Sequence, residues 1–198
     1  SVTKQTQKCF IKSHKTFYKM GLNKQQTTKN AVYCFQGKLI TPATNKSETT
    51  IEKNGKLYET FSSLDGKITD IKMVDGYQDQ KDLLLTITDF DQTSYYLQFG
   101  INSGYFRSFS RMFKNIDTLK DVEIYPTYKE ENGMSKSGMV IKQGGEWVKR
   151  FYTYENMGDC PIAMPVEVNG NTTYDYTAQN NFLIAEILSK FEEEKMPF

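Results

Sequence analysis

LLLTITDFDQTSYYLQFGINSGYFRSFSRMFKNIDTLKDVEIYPTY, residues 83–128, changes periodicity twice and so decides the fold class. Leu83 to Phe90 is rich in β-branched and apolar residues and reads as a strand. Asp91-Gln92 makes a tight connection to Thr93–Phe99, where Tyr95, Leu97 and Phe99 share one face and Tyr96 and Gln98 the other. The period then becomes helical. Ser103 is a suitable N-cap, and Tyr105, Phe106, Phe109, Met112, Phe113 and Ile116 fall at i, i+1, i+4, i+7, i+8 and i+11. Arg107, Ser108, Arg111 and Lys114 take the opposite side of that helix, and strand character resumes over Val122–Tyr128.

The flanks extend this pattern. Upstream, Leu57–Ser63 and Lys67–Val74 read as strands, punctuated by Asp65-Gly66 and Asp75-Gly76. Downstream, Lys136–Gln143 and Glu146–Tyr154 follow, with Asn132-Gly133 and Gly144-Gly145 as hairpin turns. A loop containing Pro161 and Pro165 leads to a closing helix over 178–194, whose apolar stripe is Leu183, Ile184, Ile187, Leu188 and Phe191. Three strands, a helix and further strands is the element order of the OB-fold. The expectation is therefore a mostly β protein: an OB-like five-stranded barrel with a helix between strands 3 and 4. Residues 1–56 would be a basic N-terminal extension, 57–160 the barrel, and 161–198 a C-terminal loop, helix and acidic tip.

Composition excludes several classes. A 38% hydrophobic fraction with 14% aromatics over 198 residues belongs to a globular chain. No apolar run reaches the roughly 18 residues of a membrane span, and 1–15 lacks the apolar centre of a secretory signal. Cys9, Cys34 and Cys160 are far apart and odd in number, which suits a reducing compartment better than a disulfide framework. With a single histidine, His14, a His-based triad or metal site has almost nothing to work with. Asp89 and Asp91 form a DxD, but at a hairpin turn, where Asp serves local hydrogen bonding. No phosphate-loop, dinucleotide, nucleophile-elbow or zincin motif occurs. The expectation is a non-enzyme with no cofactor and no metal.

Charge points to binding. Net charge is +1, yet residues 1–47 hold nine lysines and no acid, leaving 16 basic and 24 acidic groups for the remainder. A basic arm on an acidic body suits a polyanion, whose counterions it releases on binding. Lys8, Lys12, Lys15 and Lys19 would line one face if that arm were helical. Single strands are held by aromatic platforms set among cations. In Glu146–Tyr154 read as a strand, Trp147, Lys149 and Phe151 alternate onto one face, with Lys142 on the neighbouring strand. Lys8, Lys12, Lys15, Arg107, Arg111, Lys142, Trp147 and Lys149 are thus the candidate DNA contacts, with Tyr96 as a further stacking platform.

Two resemblances sharpen this. The ending Glu192-Glu193-Glu194-Lys195-Met196-Pro197-Phe198 resembles the acidic Pro-Phe tail of bacterial single-stranded DNA-binding proteins, although Lys195 interrupts the acids and no Gly/Gln-rich linker precedes it. That likeness implies that Phe198, with Glu192, Glu193 and Glu194, docks onto replication or repair proteins. Over about residues 80–155, Asn115-Ile116-Asp117, Lys136-Ser137-Gly138 and Gln143–Glu146 resemble phage-encoded single-stranded DNA-binding proteins of OB type. The resemblance implies a sequence-independent coat on DNA exposed in phage replication or recombination, in the bacterial host cytoplasm and without membrane attachment. Stacking and phosphate contacts would serve RNA equally. The alternative is a non-enzymatic phage structural or accessory protein that uses the barrel as a protein-binding module.

Overall fold

The computed structural model describes residues 30–195. Its elements in chain order are β1 (Ala31–Phe35), β2 (Lys38–Pro42), β3 (Thr50–Lys53), β4 (Lys56–Phe61), β5 (Leu64–Asp75), β6 (Lys81–Thr88) and β7 (Ser94–Gly100). These are followed by α1 (Gly104–Met112), β8 (Asp121–Glu131), β9 (Met134–Gln143), β10 (Glu146–Trp147), β11 (Met164–Val168), β12 (Asn171–Asp175) and α2 (Thr177–Lys195). The protein is mostly β and carries a C-terminal helix, as the periodicities indicate. None of the described helices is long and apolar enough to cross a membrane.

The expected closed five-stranded barrel gives way to one ten-stranded sheet, in the order β10-β9-β8-β5-β6-β7-β1-β2-β4-β3, with β11 and β12 as a separate hairpin. The meander β5-β6-β7, the helix α1 and the hairpin β8-β9 stand in the expected sequence. The difference lies at the edge of β7. There β1 pairs parallel, setting Ala31, Val32 and Tyr33 opposite Tyr96, Leu97 and Gln98. Residues 31–56, expected as an extension outside the barrel, thus supply three of the ten strands of the sheet.

β5 is shared between two partners. Leu64–Lys67 pairs with β8, and Lys67 onward pairs with β6. Asp65-Gly66, expected as a turn, lies inside this strand. Gly66 has φ +147°, and a Cβ there would sit 2.7 Å from the Thr88 carbonyl oxygen, so only glycine lets the strands approach. A register shift between Ile68 and Asp70 adds local twist just beyond it.

The curl wraps one apolar core. Leu83, Leu85 and Ile87 alternate inward from β6, Val122 and Ile124 from β8, and Met139 and Ile141 from β9. Against them α1 turns the stripe read from the sequence: Phe106, Phe109, Met112 and Phe113 are buried, with Ile116 just beyond. Phe109 packs on Phe99 and Phe113 at centroid distances of 5.7 and 5.4 Å. Each such buried side chain contributes about 1.5–3 kcal/mol. Ser103 caps α1 as expected, its Oγ accepting from the Phe106 N–H at 3.1 Å.

The other side of α1 also packs, and the backbone shows how closely. A Cβ on Gly104 would lie 2.0 Å from the carbonyl oxygen of Ser137 on β9. α2 adds Leu183, Ile187 and Phe191 to the core. Its Lys190 donates to the carbonyls of Phe113, Lys114 and Ile116, just beyond the end of α1. Gly104→Ala is expected to lower stability by about 1–3 kcal/mol or more, because α1 must move away from β9. Urea unfolding of the variant against the parent protein measures it.

Candidate nucleic-acid interface

The expected contact residues separate in space. Lys8, Lys12, Lys15 and Phe198 lie outside the described residues. Tyr96 is half-buried in the middle of the sheet, between Thr86 of β6 and Ala31 of β1. Lys142 stands at the end of β9, and its cross-strand partner is Glu123 of β8. Trp147 is 59% exposed, with its ring edge-on to Tyr125 at 5.5 Å.

The strand expected over Glu146–Tyr154 stops at Trp147. Val148 makes one more bond to the β9 backbone, to Ile141 at 2.8 Å, and the chain then leaves the sheet. The Phe151 and Tyr152 N–H groups donate instead to the Arg111 carbonyl on α1, at 2.8 and 3.2 Å. The row Trp147, Lys149 and Phe151 therefore does not form, since alternation ends with the strand. Lys149 is exposed beside α1, and its carbonyl accepts from Asn115. Tyr152, not Phe151, enters the core.

The end of β9 that carries Lys142 is acidic. Lys142 lines a recess of about 430 Å³ together with Asp65, Asp89, Asp121 and Glu123. Burial, then Glu123 and Asp89, push the Asp65 carboxyl above its ordinary value, which marks the crowding of negative charge. Tyr125, beside Trp147, donates its hydroxyl to Glu123 at 2.7 Å. A phosphate backbone would be repelled here. Asp89 and Asp91 take the local role expected of them: Asp89 accepts from the Asp91 N–H and Asp91 from the Thr93 N–H. Among the described residues, no three His, Cys, Asp or Glu side chains gather as a metal site.

The acidic tip is also built in. Glu192, Glu193 and Glu194 form the last turns of α2 rather than a free tail. Glu194 accepts from the Thr118 hydroxyl and N–H and pairs with Lys190 at 3.4 Å. Glu192 and Glu193 remain exposed, the former 3.2 Å from Lys195, which also meets Asp70.

At the other end of β9 the charge reverses. Of the 25 Lys and Arg residues only three are arginine, and Arg107, Arg111 and Arg150 all line one recess of about 390 Å³. Arg107 and Arg111 reach it from α1, where their i, i+4 spacing sets them on one face. Ser135, Lys136 and Ser137 come from the start of β9, Arg150 and Tyr154 from the segment after β10, and Tyr176 from just before α2. The lining contains no carboxylate. The Arg111 guanidinium lies 4.6 Å from the Tyr154 ring centre and that of Arg107 lies 4.7 Å from Tyr176, stacked geometries that orient both forks.

Arg111 is expected on the polar side of the helix, yet it is only 5% exposed. Gln179 covers it, accepting from its Nη2 at 3.2 Å, while its Nε–H has no partner. Arg107 and Arg111 are thus expected contacts that the fold brings together. Arg150, Tyr154 and Tyr176 are the members sequence reasoning missed. The scarcity of arginine in a lysine-rich chain was the available signal.

Tyr154 is 78% exposed, and Arg111 foremost, with Arg150 and Arg107, holds its phenol below the ordinary value of 10.0. Below that lowered pKa the phenol is neutral and the recess keeps its full positive charge. As pH rises through it, a phenolate forms among the arginines and anion affinity falls. Tyr154→Phe is expected to remove that decline, seen by titrating a labelled oligonucleotide across alkaline pH. Ultraviolet titration of the phenols should lose its earliest component in the same variant.

The chain matched no protein-family model, no curated protein and no solved structure with which it was compared.

Proposed function

We propose that this protein binds single-stranded nucleic acid, DNA in the first instance, through backbone charge and aromatic contact rather than base sequence. The observation that carries the reading is the convergence of all three arginines with Tyr154 and Tyr176 in one carboxylate-free recess. Guanidinium groups take phosphate oxygens, and the exposed Tyr154, with the half-buried Tyr176, offers aromatic surface against which any base can pack. The lysines of 1–47 would add salt-sensitive affinity along the strand. The resemblance over residues 80–155 supports a phage protein acting on DNA exposed during replication or recombination in the host cytoplasm. Contact with replication or repair proteins would fall to Glu192, Glu193 and Phe198, because Glu194 is engaged with Thr118.

One observation favours the protein-binding alternative. All ten residues of the β11–β12 hairpin are exposed, Met164, Val166, Val168 and Tyr174 among them. An exposed apolar hairpin of this kind suits a protein partner.

Fluorescence anisotropy of a labelled oligothymidine with the full chain separates the two readings. Binding is expected at low salt, weakening steeply as salt rises. Arg150→Ala, a substitution at an exposed position, is expected to weaken it about tenfold, the worth of one charge-assisted hydrogen bond. Emission from Trp147 is expected to stay unchanged, since it lies at the acidic end of β9. Absence of binding at low salt would remove the nucleic-acid reading.

A further inference from the structure

We propose that the arginine recess is a socket for one phosphate group, gripped by Arg107, Arg111 and Arg150, with the attached sugar and base directed toward Tyr154 and Tyr176. Its ligand rests on the nucleic-acid reading above, but the socket itself rests on the chemistry of its lining.

Lysine would suffice for a diffuse polyanion surface, and this chain uses lysine almost everywhere. Its three arginines all line this one recess, and a guanidinium, unlike an ammonium, is a planar fork able to meet two oxygens of one group. Among the described residues no carboxylate pairs with any of the three: every ion pair there is made by a lysine. Lys136 of the lining is paired with Glu131, which Lys129 also meets, at 3.3 and 3.1 Å. The recess thus holds uncompensated positive charge, part of it on a buried side chain.

Arg111 makes that charge costly. A guanidinium removed from water is normally matched by a carboxylate, because neutral acceptors return only part of its hydration. Here its Nη2 has a neutral amide oxygen, and its Nε–H has nothing. An anion oxygen entering the recess would supply the missing counter-charge. The lining adds the hydroxyls of Ser108, Ser135 and Ser137 as further donors. A volume of about 390 Å³ exceeds that of a phosphate alone and leaves space for the residue bonded to it.

The source of the phosphate is either an internal phosphodiester or a terminal phosphomonoester, and the test separates them. Full-length protein is titrated with oligothymidines bearing a 5′-hydroxyl or a 5′-phosphate, and with sodium phosphate against sodium chloride at matched ionic strength. Phosphate is expected to displace the oligonucleotide at least tenfold more effectively than chloride. That excess should vanish in Arg150→Ala, which is exposed and leaves the core intact, and shrink in Arg107→Lys, which keeps charge but loses the fork. A tenfold preference for the 5′-phosphorylated strand assigns the socket to strand ends; equal affinity, with the same loss in both variants, assigns it to the backbone.

If phosphate competes no better than chloride, or both variants bind oligonucleotide like the parent, the socket is overturned while the nucleic-acid reading stands. If phosphate raises the melting temperature of the parent but not of Arg150→Ala, and no oligonucleotide binds, the socket stands and that reading falls. Capture of a glutamate-rich peptide at the recess, with phosphate inert, would overturn the socket in favour of an acidic protein ligand.

Discussion

The close crossing at Gly66 is the constraint on which the rest of the structure depends. One strand, β5, hands its pairing from β8 to β6 within a few residues, and this makes a meander and a distant hairpin parts of one sheet. The handover brings the backbone of residue 66 against Thr88, where any Cβ would collide. Through that shared strand β6, β8 and β9 belong to one sheet, and their inward residues join Phe106 and Phe109 of α1 in one core. The seating of α1 on β9, and with it the position of Arg107 and Arg111, depends on that continuity.

Charge of opposite sign gathers at the two ends of β9. One end adjoins Asp65, Asp121 and Glu123, and the other adjoins Arg107, Arg111 and Arg150. Lys142 at one end and Ser135–Ser137 at the other lie roughly 16–24 Å apart at the rise of an extended strand. A protein of net charge +1 thereby separates positive from negative surface, the arrangement that would orient a polyanion on approach. The acidic end would turn a nucleic-acid strand away and leave the arginine end as the place of approach. Burial of Arg111 fits this division, since an unmatched buried charge costs stability and is retained where it serves a ligand.

The legibility of the sequence follows the range of the forces involved. The helix α1, its Ser103 cap, the β6–β7 hairpin and the stripe of α2 were readable because local period and capping decide them. The Asp65-Gly66 pair misled because the same glycine that suits a turn also suits a crossing strand, and only the partner strand distinguishes them. β1–β3 were missed since each is only four or five residues long, and β1 is stabilised by parallel pairing with a strand more than sixty residues away. For the site, Arg107 and Arg111 were legible from helical spacing. Arg150 and Tyr154 were not, because their position depends on the chain leaving the sheet after Trp147 to reach the Arg111 carbonyl.

The dependence of the recess on one short stretch has a consequence for its persistence. Gln179 covers Arg111, Tyr176 receives Arg107, and Lys190 meets the carbonyls just beyond α1, so all three act from residues 176–190. Local opening of that stretch would leave the strand pairing of the large sheet in place while both arginines returned to water. The recess would then assemble and come apart with the docking of a single helix, at a smaller cost than unfolding the whole chain.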